Sequence, residues 1–134
     1  MQGAEKRSFL LETDIITDHL IRGKTEKQSA LEHCMVTGLC FTTAINAAEI
    51  YGSKSAVMNL NIINDIFAAI KILGINSRYV LKLPDFYGKV TGWRDAMFAS
   101  VAWHNKLTIV TFDNQKYSEL NIDTLDVSEL KAKI

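Results

Sequence analysis

Residues 94–113 read RDAMFASVAWHNKLTIVTFD. From Asp95 to His104 the segment is almost wholly apolar, which predicts a helix buried on most of its sides. Residues 107–111 (LTIVT) are rich in β-branched residues and form the best strand candidate in the chain. An acid stands at each end of the unit: Asp95 opens the helix, and Asp113 follows the strand. A nearly all-apolar helix here runs into a strand, the alternation that marks an α/β domain.

The same alternation extends outward. Towards the N-terminus, residues 78–83 (RYVLKL) are expected to be a third strand stopped by Pro84, with a loop over residues 85–92. A long helix is expected from about Ser55 to the residue before Gly74, with Ile63, Ile66, Phe67, Ile70 and Leu73 as its apolar stripe. Residues 44–51 (AINAAEIY) are helical by propensity, and residues 39–43 (LCFTT) are a strand candidate. Thr25 and Gln28 match a capping box, opening a helix with Leu31, Cys34 and Met35 on one face. A short helix over residues 13–21 is expected to stop at Gly23, and residues 8–12 (SFLLE) read as a buried first strand. Beyond Asp113, a short helix is expected around residues 115–120 and a last strand around 122–125. Strands alternating with helices define an α/β layered domain with a mainly parallel sheet.

Composition sets the outer limits. The 134 residues, read as one domain over 1–134, are 48% hydrophobic and 22% charged, ordinary for a globular protein with its own core. The formal net charge is zero, which argues against long-range capture of nucleic acid by a basic face. It leaves room for an enzyme that handles phosphates through bound cations. Cys34 and Cys40 lie in apolar surroundings without a CxxC motif and are expected to be reduced core thiols. The N-terminal apolar run is too short for a secretory signal, and no stretch approaches the ~18 apolar residues of a membrane span. A cytoplasmic protein is expected.

Four carboxylates occupy positions that an apolar core does not require. Glu12 ends the first strand, Glu49 shares a helical face with Ile45, Asp95 starts the apolar helix, and Asp113 lies just past LTIVT. In a parallel sheet, residues beyond the carboxyl ends of strands gather along one edge. Converging carboxylates repel and need compensation. No Lys or His is adjacent in sequence, and Arg94 is the nearby cation. Mg²⁺ or Mn²⁺, which prefer oxygen ligands, are natural partners and suit phosphodiester hydrolysis. The plainer alternative makes Asp95 and Asp113 helix caps and pairs Glu12 and Glu49 with surface cations.

FLLETDIITDHL, TTAINAAEIYG and RDAMFASVAWHNKLTIVTFDNQKY together resemble the PIN-domain family, especially its VapC-type toxin branch. In the first segment Glu12, Thr13, Asp14 and Asp18 fill the family's positions; Glu49, Asp95 and Asp113 fill the acids of the later ones. The resemblance implies a three-layer α/β/α sandwich with a central, mainly parallel sheet. It implies a Mg²⁺- or Mn²⁺-dependent endoribonuclease, with Glu12, Glu49, Asp95 and Asp113 as metal ligands and catalytic acids. It also implies an RNA substrate, a small antitoxin protein as partner, a homodimer, and docking of partners on the hairpin over residues 14–38. Two features depart from the pattern: the first acid is Glu rather than Asp, and the segment before Asp95 is short.

Other residues take auxiliary parts. Asp14 is a second ligand candidate or a helix cap, Thr111 a partner for a ligating carboxylate, and Arg94 a phosphate grip or an orienter of Asp95. His19, His33 and His104 lack metal-ligand spacing. Two other functions compete. A non-catalytic PIN-like module binding RNA or protein is compatible with the altered first acid. A phospho-receiver needs an Asp at the end of strand three and a Lys after the last strand, and both are missing from those positions.

Overall fold

The computed structural model describes residues 7–22 and 27–128. Its five-stranded sheet has the order β3-β2-β1-β4-β5, and every pairing is parallel. The strands are β1 (Arg7–Leu11), β2 (Gly38–Thr43), β3 (Lys71–Leu73), β4 (Thr108–Thr111) and β5 (Thr124–Asp126). The helices are α1 (Thr13–Arg22), α2 (Ala30–Thr37), α3 (Ala44–Tyr51), α4 (Lys54–Ala69), α5 (Ser77–Leu81) and α6 (Trp93–Asn105).

Side-chain alternation along the central strands divides the core into two layers. Phe9 and Leu11 of β1 and Val110 of β4 pack with Ile15, Ile16, Leu31, Cys34, Ile50, Ile63, Ile66 and Ile70 on one face. Leu10 and Ile109 face the other side and pack with Tyr79, Phe98, Val101, Tyr117 and the buried face of α6. Helices thus cover both faces of a parallel sheet, the expected three-layer sandwich. At the β1–β2 contact, a Cβ on Gly38 would stand 2.4 Å from the Arg7 carbonyl oxygen and 2.7 Å from Phe9 Cε2.

Several expected elements are corrected. Residues 78–83 are not a strand: Ser77–Leu81 form α5, and Leu83–Asp85 follow as a 3-10 turn. Asn76 caps α5, its side chain accepting from the Arg78 amide at 3.0 Å. Only Tyr79 and Leu83 of the run are buried. Their spacing of four is helical, whereas a half-buried strand would alternate. The third strand is instead Lys71–Leu73, expected as the tail of the preceding helix; it pairs with β2 through Phe41↔Lys71 and Thr43↔Leu73. The capping box that opens α2 is Ser29 with Glu32, four residues after the expected cap at Thr25. Thr25 and Gly23 lie outside the described residues. Met35, placed on the buried face of α2, is exposed. The helix after β4 is a 3-10 turn over Asn114–Tyr117. Cys34 and Cys40 are free and buried, and burial pushes their thiols up to about 11 and about 12.

Candidate functional site

From β1 the chain runs to β2 and β3 on one side of the sheet, then returns to β4 and β5 on the other. The order reverses between β1 and β4, where the carboxyl edge of an α/β sheet forms a crevice. Glu12 sits at this point, its amide donating to the Val110 carbonyl at 2.9 Å. Glu12 is 2% exposed, deeper than any other acid of the edge.

Glu12 is held from all sides. Arg94 Nη2 donates to Oε1 and Nη1 to Oε2, each at 2.6 Å. Tyr117 Oη donates to Oε2 at 2.5 Å, and Lys116 Nζ lies 3.2 Å from the same oxygen. Asn46 Nδ2 and the Thr13 amide donate to Oε1, both at 3.0 Å. Asn46 is presented by a capping box with Thr43 at the start of α3. Burial works to raise the Glu12 carboxyl, but Arg94, Tyr117 and Lys116 outweigh it and hold the carboxyl down to about 2.

Glu49 and Asp95 turn towards the same guanidinium. Arg94 Nε donates to Glu49 Oε2 at 3.1 Å and Nη2 to Oε1 at 2.6 Å. Thr13 Oγ1 donates to Glu49 Oε1 at 2.5 Å. Arg94 Nη1 reaches Asp95 Oδ1 at 3.0 Å, with Lys116 Nζ 3.7 Å away. Burial would raise Glu49 and lower Arg94, but their mutual contacts win, so Glu49 falls below and Arg94 rises above its ordinary range. Asp95 is in the first turn of α6, two residues inside its start at Trp93. There the helix dipole favours an anion by roughly 0.3–1 kcal/mol.

The remaining candidates stand apart from this knot. Asp14 Oδ2 accepts from Thr111 Oγ1 at 2.8 Å and from the Phe112 amide at 3.0 Å. Burial raises the Asp14 carboxyl above its ordinary value, and its Oδ1 is buried with no hydrogen-bond partner among the described residues. Thr111 therefore serves Asp14 directly. Asp113 is exposed; its amide donates to Thr111 Oγ1 at 3.2 Å, and its carboxylate enters none of the bonds that join Glu12, Glu49 and Asp95. Lys116, Tyr117 and Asn46 were not singled out from the sequence. Their separation from Glu12, 105 residues for Tyr117 and 34 for Asn46, is the reason.

A divalent ion needs carboxylate oxygens open to it. With Arg94 in this position, both oxygens of Glu12 and both of Glu49 are engaged. Among the described residues, no group of three or more His, Cys, Asp or Glu side chains is disposed to hold a metal ion. The donor chemistry suits Mg²⁺ or Mn²⁺, but the arrangement does not fit one: Arg94 and Lys116 already supply two positive charges. A cavity of about 520 Å³ lies at the opposite edge of the sheet, among Trp103, His104, Leu107 and Ile122, and holds none of these acids.

No family model and no curated protein sequence matches the chain. Solved structures do. A chain of VapBC2 from Rickettsia felis, bound to a DNA fragment from its promoter, superposes with a TM-score of 0.73 over 88% of this chain and 97% of that one, at 18% identity. A toxin–antitoxin complex from Klebsiella pneumoniae gives 0.71 over 87% and 94%, at 14% identity. VapBC-1 from nontypeable Haemophilus influenzae gives 0.71 over 90% and 98%, at 15% identity. The fold is the PIN-like α/β/α sandwich of these VapBC complexes, as the sequence motifs imply.

Proposed function

We propose that the chain is a PIN-type endoribonuclease that hydrolyses RNA phosphodiester bonds, the toxin of a toxin–antitoxin pair. The observation that carries this reading is convergence: Glu12 just past β1, Glu49 of α3 and Asp95 of α6 meet one group at the switch point of a PIN-like sheet. Mg²⁺ or Mn²⁺ is the cofactor of this reading, and Arg94 opposes its binding in the conformation described. Glu12, held down to about 2, is too weak a base to take a proton at neutral pH. Its part is to anchor positive charge. Glu49, the acid with the most exposed side chain of the three, is the one a solvent-borne substrate reaches first.

A partner surface is at hand. Ile21 near the end of α1 and Val36 near the end of α2 are 77% and 72% exposed, on the hairpin where an antitoxin is proposed to dock. Among the described residues no helix is long and apolar enough to cross a membrane. A homodimer and a cytoplasmic setting belong to the same proposal.

The test is cleavage of a mixed RNA pool with Mn²⁺ and with EDTA, by the wild type and by Asp95→Asn and Glu49→Gln. The reading expects cleavage that disappears with EDTA and in both variants. Cleavage surviving all three would sink it. A second reading, a PIN-like module that binds RNA or protein without cutting, draws support from the closed ion-pair network around Arg94. It expects no cleavage by the wild type with Mn²⁺.

A further inference from the structure

We propose that Arg94 is a built-in competitor for the cation: its guanidinium holds the carboxylate oxygens that a divalent ion would need, so these acids do not fit a metal while Arg94 stays on them. The inference rests on the reading of Glu12, Glu49 and Asp95 as the acidic site.

Three observations carry it. Arg94 directs Nε, Nη1 and Nη2 at carboxylates, covering both oxygens of Glu12, both of Glu49 and one of Asp95. A divalent ion would require these same oxygens, so the two occupants exclude each other. The charge is matched as well: Arg94 and Lys116 together bring the two positive charges that one Mg²⁺ or Mn²⁺ would bring. Finally, Asp14 Oδ1 is buried with no hydrogen-bond partner among the described residues. Asp14 is close enough to feel the charges of Glu12 and Lys116. An acceptor is thus left over near a cluster in which Arg94 takes both oxygens of Glu12, both of Glu49 and one of Asp95.

The competitor is anchored but has an exit. Arg94 belongs to the first turn of α6 and its guanidinium lies over the Phe98 ring, 5.8 Å from the centroid. Its side chain is 23% exposed, so the way out leads to solvent.

Mn²⁺ binding to the wild type, Arg94→Gln and Arg94→Lys, measured by calorimetry and by the Mn²⁺ spin-resonance signal, tests this. Each variant is first checked for cooperative unfolding. Gln keeps an amide donor for Glu12 without the charge; Lys keeps the charge without the fork. Arg94→Gln is expected to bind Mn²⁺ about tenfold tighter or more, with Arg94→Lys between it and the wild type. If Arg94→Gln fails to fold, tighter binding by Arg94→Lys than by the wild type carries the inference. Equal affinity in the folded proteins, or no binding to any, overturns it. RNA cleavage by the same samples separates the two claims. EDTA-sensitive cleavage with equal Mn²⁺ affinity leaves the ribonuclease reading standing and removes the competitor. Tighter Mn²⁺ binding without cleavage does the reverse.

Discussion

Arg94 and Glu12, 82 residues apart, meet as a two-pronged ion pair with both hydrogen bonds at 2.6 Å. The guanidinium fork matches the carboxylate geometry, and the carboxylate is almost wholly withdrawn from water. Removing one partner of a buried pair leaves a charge without compensation. Arg94→Ala is therefore expected to lower unfolding stability by about 3 kcal/mol, read from chemical denaturation. Combined with Glu12→Gln, the loss should fall well short of the sum of the single losses. An additive pair of losses would show that the two residues do not depend on each other.

The same pair sets the response to acid. The folded Glu12 carboxyl is at about 2, below its ordinary 4.5. A depressed carboxyl contributes stability that is present above the unfolded value and lost as pH falls through the folded one. The stability difference between wild type and Glu12→Gln should be constant above about pH 5 and shrink from there towards pH 2. Asp14, raised by burial, works in the opposite sense and gains on protonation. A difference that grows on acidification would contradict the network around Glu12.

Thr111 supports Asp14 through one hydroxyl bond of 2.8 Å. Thr111→Val keeps the shape and removes the donor, leaving a partly buried carboxylate with the Phe112 amide alone. The expected cost is about 1–3 kcal/mol, with the Asp14 carboxyl pushed further up in an NMR titration. Thr111→Ser should restore most of both. A Val variant that titrates like the wild type would remove Thr111 from this role.

Gly38 marks the closest approach of β2 to β1. A methyl there meets a backbone carbonyl at 2.4 Å, which has no rotamer by which to retreat. Gly38→Ala is expected to destabilise by about 1–3 kcal/mol or more, seen as a lower melting temperature. An unchanged melt would mean that the strand pair can open without cost.

The layered fold was legible where sequence pattern and burial agree. AINAAEIY forms α3 over the expected residues, and SFLLE and LTIVT supply β1 and β4 with at most a residue of difference. RYVLKL misled because β-propensity records fit to a half-buried pleated surface, and this run lies off the sheet on α5. β3 is three residues long, too short for a period of two to register. At the site, the strand-end rule placed Glu12 correctly, and helix position brought Glu49 and Asp95 beside it. Asp113 obeys the same rule yet stays outside the ion-pair network. Charge compensation was the part that local reading could not reach. Arg94 adjoins Asp95 in sequence, but its strongest partner is Glu12, and Lys116 arrives from the turn after β4.

That long reach has a consequence for the nascent chain. Glu12 is made early, while three of the residues that hold it, Arg94, Lys116 and Tyr117, come 82 to 105 positions later. Its neighbour strand β4 is equally late. Contacts so distant in sequence form last and slowly. A chain interrupted before residue 94 therefore carries the early acid with Thr13 and Asn46 but without Arg94, Lys116 and Tyr117, so both of its positive partners are missing.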